Sequence, residues 1–337
     1  MNARKKRGRL AGVVLAAGLG ERMQPLTLAV PKPLLPVLGV PLVEIAVARL
    51  RRSGAEEIHA NTFHLPEQIE AIADEKRLNI RLHRETSLLG TGGGIGNMAD
   101  ALKRFDSILL HNGDIVSNIG FERALETHVA SGCLVTMLLV PVSATEGSVV
   151  SSRLPPGNVA ANPVDEVVGI GEGVRAAGDG VAPFGYTGLS ILSPEALGFF
   201  PRDRKAGLVE ILTEMMRCSP GSVKGFDCTT GSRKFVWCDL GSPDSYLELH
   251  RRILVGREEF DRCIAPPPMP IHLGNGAVVD PTVSWSGFLE VGSQTVIGRD
   301  CRLEDCVILP DTIVPPQSAF YHTIIYPGGT LQGGDAR

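Results

Sequence analysis

The sequence contains no hydrophobic run near the roughly 18 residues that a membrane-spanning helix needs. The apolar stretch at residues 10–19 is shorter and lacks a small-residue cleavage site, so we expect no secretory signal. Neither charge sign dominates, because 33 basic and 37 acidic residues leave a formal charge of −4 on 337 residues. This balance gives no global attraction for nucleic acid or an anionic membrane. We therefore expect a cytoplasmic protein with no nucleic-acid or membrane partner, in which any phosphate is bound locally.

The seven cysteines lack CxxC pairs and metal-ligand spacing, and their number is odd. They favour a reducing compartment over a disulfide framework. The basic stretch at residues 4–9 is short and terminal, so we interpret it as a solvated tail without a functional role. With 43% hydrophobic and 21% charged residues, the chain has ordinary globular composition and enough apolar material for a core.

Residues 10 to about 250 alternate short β-branched runs with amphipathic stretches of helical spacing. Strands are predicted at 12–17, 57–62, 80–84, 107–112, 134–140, 188–192 and 235–239. Helices are predicted at 41–52, 66–75, 93–103, 120–131, 208–217 and 243–255, the last with Ser242 as N-cap and Pro243 at its first position. The pattern is typical of an α/β fold with a Rossmann-like, doubly wound, mostly parallel sheet. Such sheets bind ligands at the carboxyl ends of their strands.

The proline-rich segment at residues 265–270 can be neither helix nor central strand, so it indicates a linker. Beyond it, apolar residues recur every six positions in two phases. These are Val279, Trp285, Val291, Ile297, Leu303 and Leu309, and Val283, Leu289, Thr295, Cys301, Val307 and Ile313. We expect both phases to point into a short left-handed parallel β-helix with Gly292 and Gly298 at corners, because antiparallel hairpins would show a period of two. The predicted limits are 10–256 for a catalytic domain, 257–272 for the linker and 273–330 for the β-helix.

The loop after the first predicted strand carries Gly18-x-Gly20 followed by Arg22 and, between two prolines, Lys32. A dinucleotide fingerprint would need a third glycine near Met23 and a helix that four prolines of this segment forbid. The phosphate-binding GxxxxGK(S/T) motif is also missing. What remains is a backbone cradle with two cations suited to phosphate oxygens, and Lys32 has the stiff backbone of a positioned catalytic cation.

The segments GLGERMQPLT at residues 18–27 and PKPLLPVLGVPL at residues 31–42 resemble the signature of the sugar-1-phosphate nucleotidyltransferases. Later segments resemble the family's other motifs in order: LGTGGG at 89–94, NGD at 112–114, GE at 171–172, TG at 187–188 and WCDLG at 237–241. The hexad tail also occurs in several branches of the family, so the resemblance covers nearly the whole chain.

The resemblance implies a role for each loop. The nucleotide would be bound by Leu15, Ala16, Ala17, Gly18 and Gly20 and by Gly90, Thr91, Gly92 and Gly93. Catalytic Arg22 and Lys32 would hold the triphosphate, and the sugar phosphate would meet Glu172, Thr187 and Gly188. Independently of any family, a glycine triplet at a helix start suits close approach by a ligand.

Asp114 and Asp239 each end a buried-looking strand, which places a carboxylate on the expected ligand rim. A single such aspartate is often only a turn former. Two of them beside a phosphate cradle suit Mg²⁺, which prefers one or two carboxylates plus substrate phosphates, and the resemblance assigns them that role. The implied reaction is Mg²⁺-dependent attack of a sugar-1-phosphate on a nucleoside triphosphate, which releases pyrophosphate. The sugar phosphate is already mostly dianionic at neutral pH, so no general base is required.

Two departures from the family pattern leave the substrate open. Glu21 stands where many members have threonine, and Gly173 stands where many have a lysine that contacts the sugar phosphate. Arg153, Arg175 or Lys234 could replace that lysine.

The motifs resemble the N-acetylmuramate-1-phosphate uridylyltransferase branch, whereas the tail favours the mannose-1-phosphate guanylyltransferase-like branch, towards which we lean. One alternative is a non-catalytic nucleotide-sugar-binding homologue, and another is acyl transfer by the tail. For the tail, a role in forming a homo-oligomer is favoured over acyl transfer, because parallel coils leave open ends.

Overall fold

The computed structural model describes residues 8–142, 159–162, 165–171, 181–230 and 235–334. The chain groups into two units. Unit 1 comprises the residues up to Gly18, Ala46–Ile115 and Ile119–Trp237, and unit 2 comprises Leu19–Ile45, Val116–Asn118 and the residues from Cys238 onward. The domain limits predicted above follow chain order instead, and they stay a prediction.

Thirteen strands precede the proline-rich segment in the part of the chain that the structure describes. They are β1 (Leu10–Leu15), β2 (Pro36–Val37), β3 (Val40–Pro41), β4 (Glu57–Thr62), β5 (Ile80–Arg84), β6 (Ser107–Asn112), β7 (Ile115–Ser117), β8 (Val135–Pro141), β9 (Val159–Ala161), β10 (Val167–Ile170), β11 (Ala182–Leu192), β12 (Val223–Asp227) and β13 (Trp237–Asp239).

Seven α-helices accompany them within the described ranges. They are α1 (Leu26–Ala29), α2 (Leu42–Arg52), α3 (Pro66–Glu75), α4 (Gly90–Leu102), α5 (Glu122–Ser131), α6 (Leu208–Cys218) and α7 (Pro243–Leu254). Short 3₁₀ turns lie at Glu21–Met23, Lys32–Leu34 and Pro194–Phe199. As expected from the prolines, α1 is a single turn between Pro25 and Pro31.

The central sheet of unit 1 has the strand order β10-β9-β11-β6-β1-β4-β5, and β8 joins β11 to β12. The block β6-β1-β4-β5 is parallel throughout. Its middle strand β1 is buried on both faces, as central parallel strands are, and α4 and α6 contribute Ile95, Met98 and Met215 to the same apolar core. The predicted α/β fold with a mostly parallel sheet is therefore confirmed.

The sheet differs from the prediction at β11, which lies antiparallel to β6, β8 and β9. A parallel neighbour needs a crossover connection, usually a helix, whereas the described residues between β8 and β11 form only the short strands β9 and β10. The short strands β9, β10 and β12 were missed because three to five residues carry little periodic signal. The boundaries of β1 and α4 were also wrong, since β1 ends at Leu15 and α4 begins at Gly90.

In unit 2, α7 begins where the sequence predicts. The Ser242 hydroxyl accepts a hydrogen bond from the Ser245 backbone at 3.3 Å, and the Ser245 hydroxyl accepts one from the Ser242 backbone at 3.0 Å. Pro243 occupies the first helical position, where its missing N–H is not needed.

The C-terminal strands of unit 2 form stacked parallel coils. They are β14 (Ile271–Leu273), β15 (Val278–Val279), β16 (Ser284–Val291), β17 (Val296–Ile297), β18 (Arg302–Ile308), β19 (Ile313–Val314), β20 (Ala319–Tyr321), β21 (Thr323–Tyr326) and β22 (Gly329–Gln332). Strands β15, β17 and β19 form one ladder, and β16 and β18 pair with β14, β20 and β21. The antiparallel pair β21–β22 ends the stack. This arrangement is the predicted parallel β-helix, and Gly292 and Gly298 lie at its corners, directly after β16 and β17.

The second coil is one residue shorter than the first. Val278 and Val296, which pair across the first coil, lie 18 positions apart, whereas Val296 and its next partner Ile313 lie 17 apart. The shift occurs where Asp305 alone lies opposite Gly287 and Phe288. Beyond it, the side chains that point inward come one position earlier in the sequence than the six-residue period predicts. Ile313, predicted to point inward, is 74% exposed. The prediction that it and Val307 continue the inner phase is therefore wrong, since Cys306 instead pairs with Leu289.

None of the described helices is long and apolar enough to cross a lipid bilayer.

Candidate active site

Two backbone groups at the end of β1 are held by hydrogen bonds to distant residues. The Gly113 backbone donates to the Leu15 carbonyl at 2.9 Å, and the Ala16 backbone donates to the Asn61 side-chain oxygen at 2.9 Å. Ala16 and Ala17 are buried, while Gly18 is exposed and a Cβ there would meet no described atom within 4 Å. The predicted nucleotide-binding residues Leu15 to Gly18 therefore lead from a fixed strand end to an accessible backbone.

The second predicted nucleotide segment is the first turn of α4 rather than a loop before it. Gly90 adopts a φ of +69°, which favours glycine, and the Gly92 backbone donates to the Ala206 carbonyl at 2.9 Å. A Cβ on Gly93 would collide with the Arg204 carbonyl. The packing of unit 1 therefore explains these glycines, because they let α4 approach the segment around Ala206. Close approach by a ligand is not needed to explain them. Thr91 between them is half-buried.

Thr187 and Gly188 lie in a β-bulge where the pairing of β11 with β8 shifts register. The Thr187 hydroxyl donates to the Leu138 carbonyl at 2.8 Å, and the Thr187 backbone carbonyl accepts from the Trp237 indole at 2.8 Å. Gly188 has a φ of +79°, and a Cβ there would meet the Ile115 side chain at 2.8 Å. Thr187 thus uses its polar groups within the fold, and Gly188 supplies the backbone conformation that the bulge requires.

In unit 2, the first loop continues through Gly20 in the left-handed conformation and the 3₁₀ turn Glu21–Met23. The Thr27 hydroxyl donates to the Gly20 carbonyl at 2.8 Å, which holds the turn. The Arg22 side chain is 70% exposed, and its guanidinium lies 4.0 Å from the Asp239 carboxylate. A Cβ on Gly241 would collide with that guanidinium, so the glycine leaves room for Arg22.

Lys32 opens the 3₁₀ turn Lys32–Leu34. The Leu34 backbone donates to the Pro31 carbonyl at 2.8 Å, and the Leu35 backbone donates to the Lys32 carbonyl at 3.0 Å. Two prolines and two backbone hydrogen bonds therefore hold the Lys32 backbone, as the sequence predicts for a positioned cation.

The two predicted metal ligands lie at strand ends. Asp114 follows β6 and Gly113 in unit 1 and is partly exposed, and Asp239 is the last residue of β13 in unit 2. Carboxylate oxygens suit Mg²⁺. No group of three or more His, Cys, Asp or Glu side chains that could hold a metal occurs in the described ranges. Each of the two aspartates by itself supplies the oxygen donor type that Mg²⁺ prefers.

No motif of the sequence singled out Asn61 and Glu85, which connect the two predicted nucleotide segments of unit 1. The Asn61 amide donates to one Glu85 oxygen at 2.7 Å, and the Leu89 backbone donates to the other at 3.0 Å. Both side chains are buried. The available signal was a polar residue near the carboxyl end of each of the neighbouring strands β4 and β5.

Several predicted residues lie outside the described ranges. Glu172, predicted to meet the sugar phosphate, is one of them, together with Gly173 and the three candidate replacement cations Arg153, Arg175 and Lys234.

A family model described as nucleotidyl transferase matches residues 11–148. A mannose-1-phosphate guanylyltransferase of Mycobacterium tuberculosis is 29% identical over 306 residues, which cover 88% of this chain and 79% of that protein. An N-acetylmuramate alpha-1-phosphate uridylyltransferase of Neisseria meningitidis is 37% identical over 121 residues, or 35% of this chain and 52% of that protein. The solved structure of HddC from Yersinia pseudotuberculosis, complexed with GMP-PN, shares the fold with a TM-score of 0.55 at 21% identity, covering 71% of this chain and 96% of that one.

Proposed function

The chain belongs to the sugar-1-phosphate nucleotidyltransferases, and on that premise we propose which substrates it takes and how its residues divide the work. It forms a nucleoside diphosphate sugar and pyrophosphate from a nucleoside triphosphate and a sugar-1-phosphate. The proposed substrates are GTP and mannose-1-phosphate. The observation that carries this choice is the 29% identity to the mannose-1-phosphate guanylyltransferase over 88% of the chain, which exceeds the 24% identity to a UTP–glucose-1-phosphate uridylyltransferase over 96% of the chain.

The reaction needs positioning and charge neutralisation rather than a nucleophilic side chain. An oxygen of the sugar phosphate forms a bond to the α-phosphorus of the triphosphate. At the same time the bond between that phosphorus and the oxygen that bridges to the β-phosphorus breaks, and pyrophosphate leaves with the electron pair of the broken bond. The nucleophile already carries nearly two negative charges at neutral pH, so its approach to a triphosphate must overcome strong repulsion. Fixed cations that hold the phosphates lower this barrier.

The proposed roles divide between the residues of the two units. In unit 1, the backbone from Leu15 to Gly18 and the first turn of α4 at Gly90–Gly93 bind the nucleoside. In unit 2, Gly20 opens the turn that presents Arg22, and Arg22 and Lys32 hold the phosphates. The exposed guanidinium of Arg22 and the restrained backbone of Lys32 support these roles.

The proposed metal ligands are Asp114 and Asp239, with Mg²⁺ as the ion. The all-oxygen donor set supports this choice, because Mg²⁺ binds through one or two carboxylates plus substrate phosphates. When bound, the ion neutralises phosphate charge as a Lewis acid.

Gly188, Thr187 and Glu172 are the proposed sugar-phosphate contacts. The Thr187 hydroxyl and carbonyl are hydrogen-bonded within unit 1 and Gly188 is buried, so in this proposal a contact with the sugar phosphate at this pair requires the backbone of the bulge.

The test is a matrix of pyrophosphate release with Mg²⁺. Five nucleotides (GTP, UTP, CTP, ATP and dTTP) are combined with the 1-phosphates of mannose, glucose, N-acetylglucosamine and N-acetylmuramic acid. We expect the highest sugar-dependent release with GTP and mannose-1-phosphate. Greater release in another combination replaces the proposed substrates, and silence in every combination from folded protein contradicts the proposal.

A second candidate activity is uridylyl transfer to N-acetylmuramate-1-phosphate. It is favoured by the 37% identity to the Neisseria enzyme, which is higher than the 29% identity to the Mycobacterium enzyme. The match to the Neisseria enzyme covers 35% of this chain. Release confined to UTP and N-acetylmuramate-1-phosphate would establish it.

Self-association through the β-helix and a cytoplasmic location stay proposals. Light scattering on the intact chain tests the first, and a monomer at working concentration would contradict it.

A further inference from the structure

We infer that Asn61 and Glu85 are a positioning pair that keeps the two nucleotide-binding segments of unit 1 in register. The inference rests on the nucleotide site proposed above and adds two residues that contact neither metal nor phosphate in that proposal. Its basis is a continuous path of hydrogen bonds from the loop after β1 to the start of α4.

The path has three hydrogen bonds. The Ala16 backbone donates to the Asn61 oxygen at 2.9 Å, the Asn61 amide donates to one Glu85 oxygen at 2.7 Å, and the Leu89 backbone donates to the other Glu85 oxygen at 3.0 Å. All four residues are buried. Ala16 lies directly before Ala17 and Gly18, and Leu89 directly before Gly90, so each end of the path fixes one predicted nucleotide segment.

The polarity of this path admits few substitutions. Both ends are backbone N–H donors, at Ala16 and Leu89, so each end needs an acceptor. The link between the two side chains therefore needs one donor, which the Asn61 amide supplies, while Glu85 accepts at both oxygens. A buried donor left facing another donor loses its hydrogen bond and is not rehydrated, which makes a mismatch costly.

Gly94 shows that this path is built into the packing of α4. A Cβ at Gly94 would lie 2.5 Å from the Asn61 amide nitrogen and 2.8 Å from a Glu85 oxygen. The third glycine of the triplet thus provides room for the pair.

The polarity predicts a specific pattern of defect and rescue. Glu85→Gln introduces a second amide, so in every orientation of the two amides at least one pair of N–H groups face each other, at Asn61, at Leu89 or at Ala16. Asn61→Asp removes the donor and places two carboxylates in contact. The double variant Asn61→Asp/Glu85→Gln restores all three hydrogen bonds, because the donor now belongs to position 85 and acceptors remain at both ends. The three variants are nearly isosteric with the wild type.

The experiment measures KM for GTP, KM for the sugar-1-phosphate and kcat for the wild type, the two single variants and the double variant. Calorimetric titration with Mg²⁺-GTP adds the Kd. We expect each single variant to raise the KM and Kd for GTP about tenfold, with the KM of the sugar substrate within about twofold. The double variant should return both GTP constants to within about threefold of the wild type.

A pH profile gives a further readout. In Asn61→Asp, a proton shared by the two carboxyl groups restores the missing donor, and like charges raise the pKa of such a pair. Its GTP defect should therefore shrink as the pH falls from 8 to 6, whereas the defect of Glu85→Gln should not.

The matched control is Glu166→Gln, because Glu166 also accepts a hydrogen bond from an asparagine amide, that of Asn162 at 3.1 Å, in unit 1. It should leave the GTP constants within about twofold. Single variants with unchanged GTP constants, or a double variant whose defect equals the two single defects combined, overturn the inference. If the single variants do not fold, the double variant decides, since the inference requires it to fold and bind GTP. A wild type silent in the whole substrate matrix contradicts the proposed function instead.

Discussion

At the residue scale, small residues in the site make room for functional side chains. Gly241 lies against the Arg22 guanidinium, and Gly94 lies against the Asn61–Glu85 pair. Neither glycine has a positive φ, so their backbone conformation does not require glycine. The missing Cβ is therefore the relevant property at both positions.

Gly241→Ala should lower kcat/KM about tenfold to 100-fold, because the new methyl group displaces the guanidinium and small misplacements of such groups are costly. Pyrophosphate release measures the effect. Gly198→Ala is the control, since a Cβ there meets no described atom within 4 Å. Wild-type activity in Gly241→Ala would show that the position of Arg22 does not matter.

Asp114→Asn and Asp239→Asn should each lower kcat at least about 100-fold while thermal unfolding stays near that of the wild type, because each removes a charged oxygen from the proposed metal site. Turnover is measured across a Mg²⁺ titration, and partial recovery at high Mg²⁺ is expected. Near-normal turnover in either variant would remove that residue from the proposed metal site.

At the element scale, α4 is placed by its glycines. A Cβ at Gly96 would collide with the Pro201 carbonyl, just as one at Gly93 would collide with that of Arg204. A helix with five glycines in its first seven residues has poor intrinsic propensity. Close packing against the segment before α6 offsets that weakness.

Gly96→Ala should destabilise the protein by about 1–3 kcal/mol, because the collision outweighs the roughly 0.5–1 kcal/mol that alanine contributes in a helix. Urea unfolding measures the change, again with Gly198→Ala as the control. A more stable Gly96→Ala variant would mean that α4 moves freely away from Pro201.

At the scale of the whole molecule, buried histidines make stability depend on pH. Burial, reinforced by the neighbouring His83 ring, lowers the pKa of His59 from 6.5 to about 4. Burial also lowers the pKa of His128 to about 4, and its ring lies 2.9 Å from the Thr136 hydroxyl. A hydrogen bond with Glu290 instead raises the pKa of His272, which acts with the opposite sign.

Thermal stability should therefore fall as the pH is lowered from about 6.5 to about 4. In that window the unfolded chain binds protons at positions 59 and 128 that the folded protein excludes, and below it both states are protonated. Melting temperatures at pH 7, 6, 5 and 4 measure the slope. His128→Asn should flatten it, and an unchanged slope in that variant would assign the acid sensitivity to other groups.

Local pattern was sufficient for much of the architecture. The bounds of β4, β5, β6 and α3 and the capping of α7 agree with the sequence predictions, since each depends on residues close in the chain. The β-helix was predictable for the same reason, because its period of six is read directly from the sequence. The one-residue shortening at Asp305 was not, since it concerns the pairing of residues 17 or 18 positions apart.

The sequence by itself determined the α/β sheet with its β-helix, the resemblance to the nucleotidyltransferases and the residue types of the proposed phosphate-binding site, because these follow from local motifs and periodicity. Only the tertiary structure decided why the glycines of α4 are there, that the Thr187 hydroxyl is used within the fold, and that Asn61 and Glu85 connect the loop after β1 to the start of α4. Each of these depends on atoms 24 or more positions apart, as in the Asn61–Glu85 and Ala16–Asn61 hydrogen bonds. Such partners meet only when the strands pair, and no pattern within a short window of sequence records them.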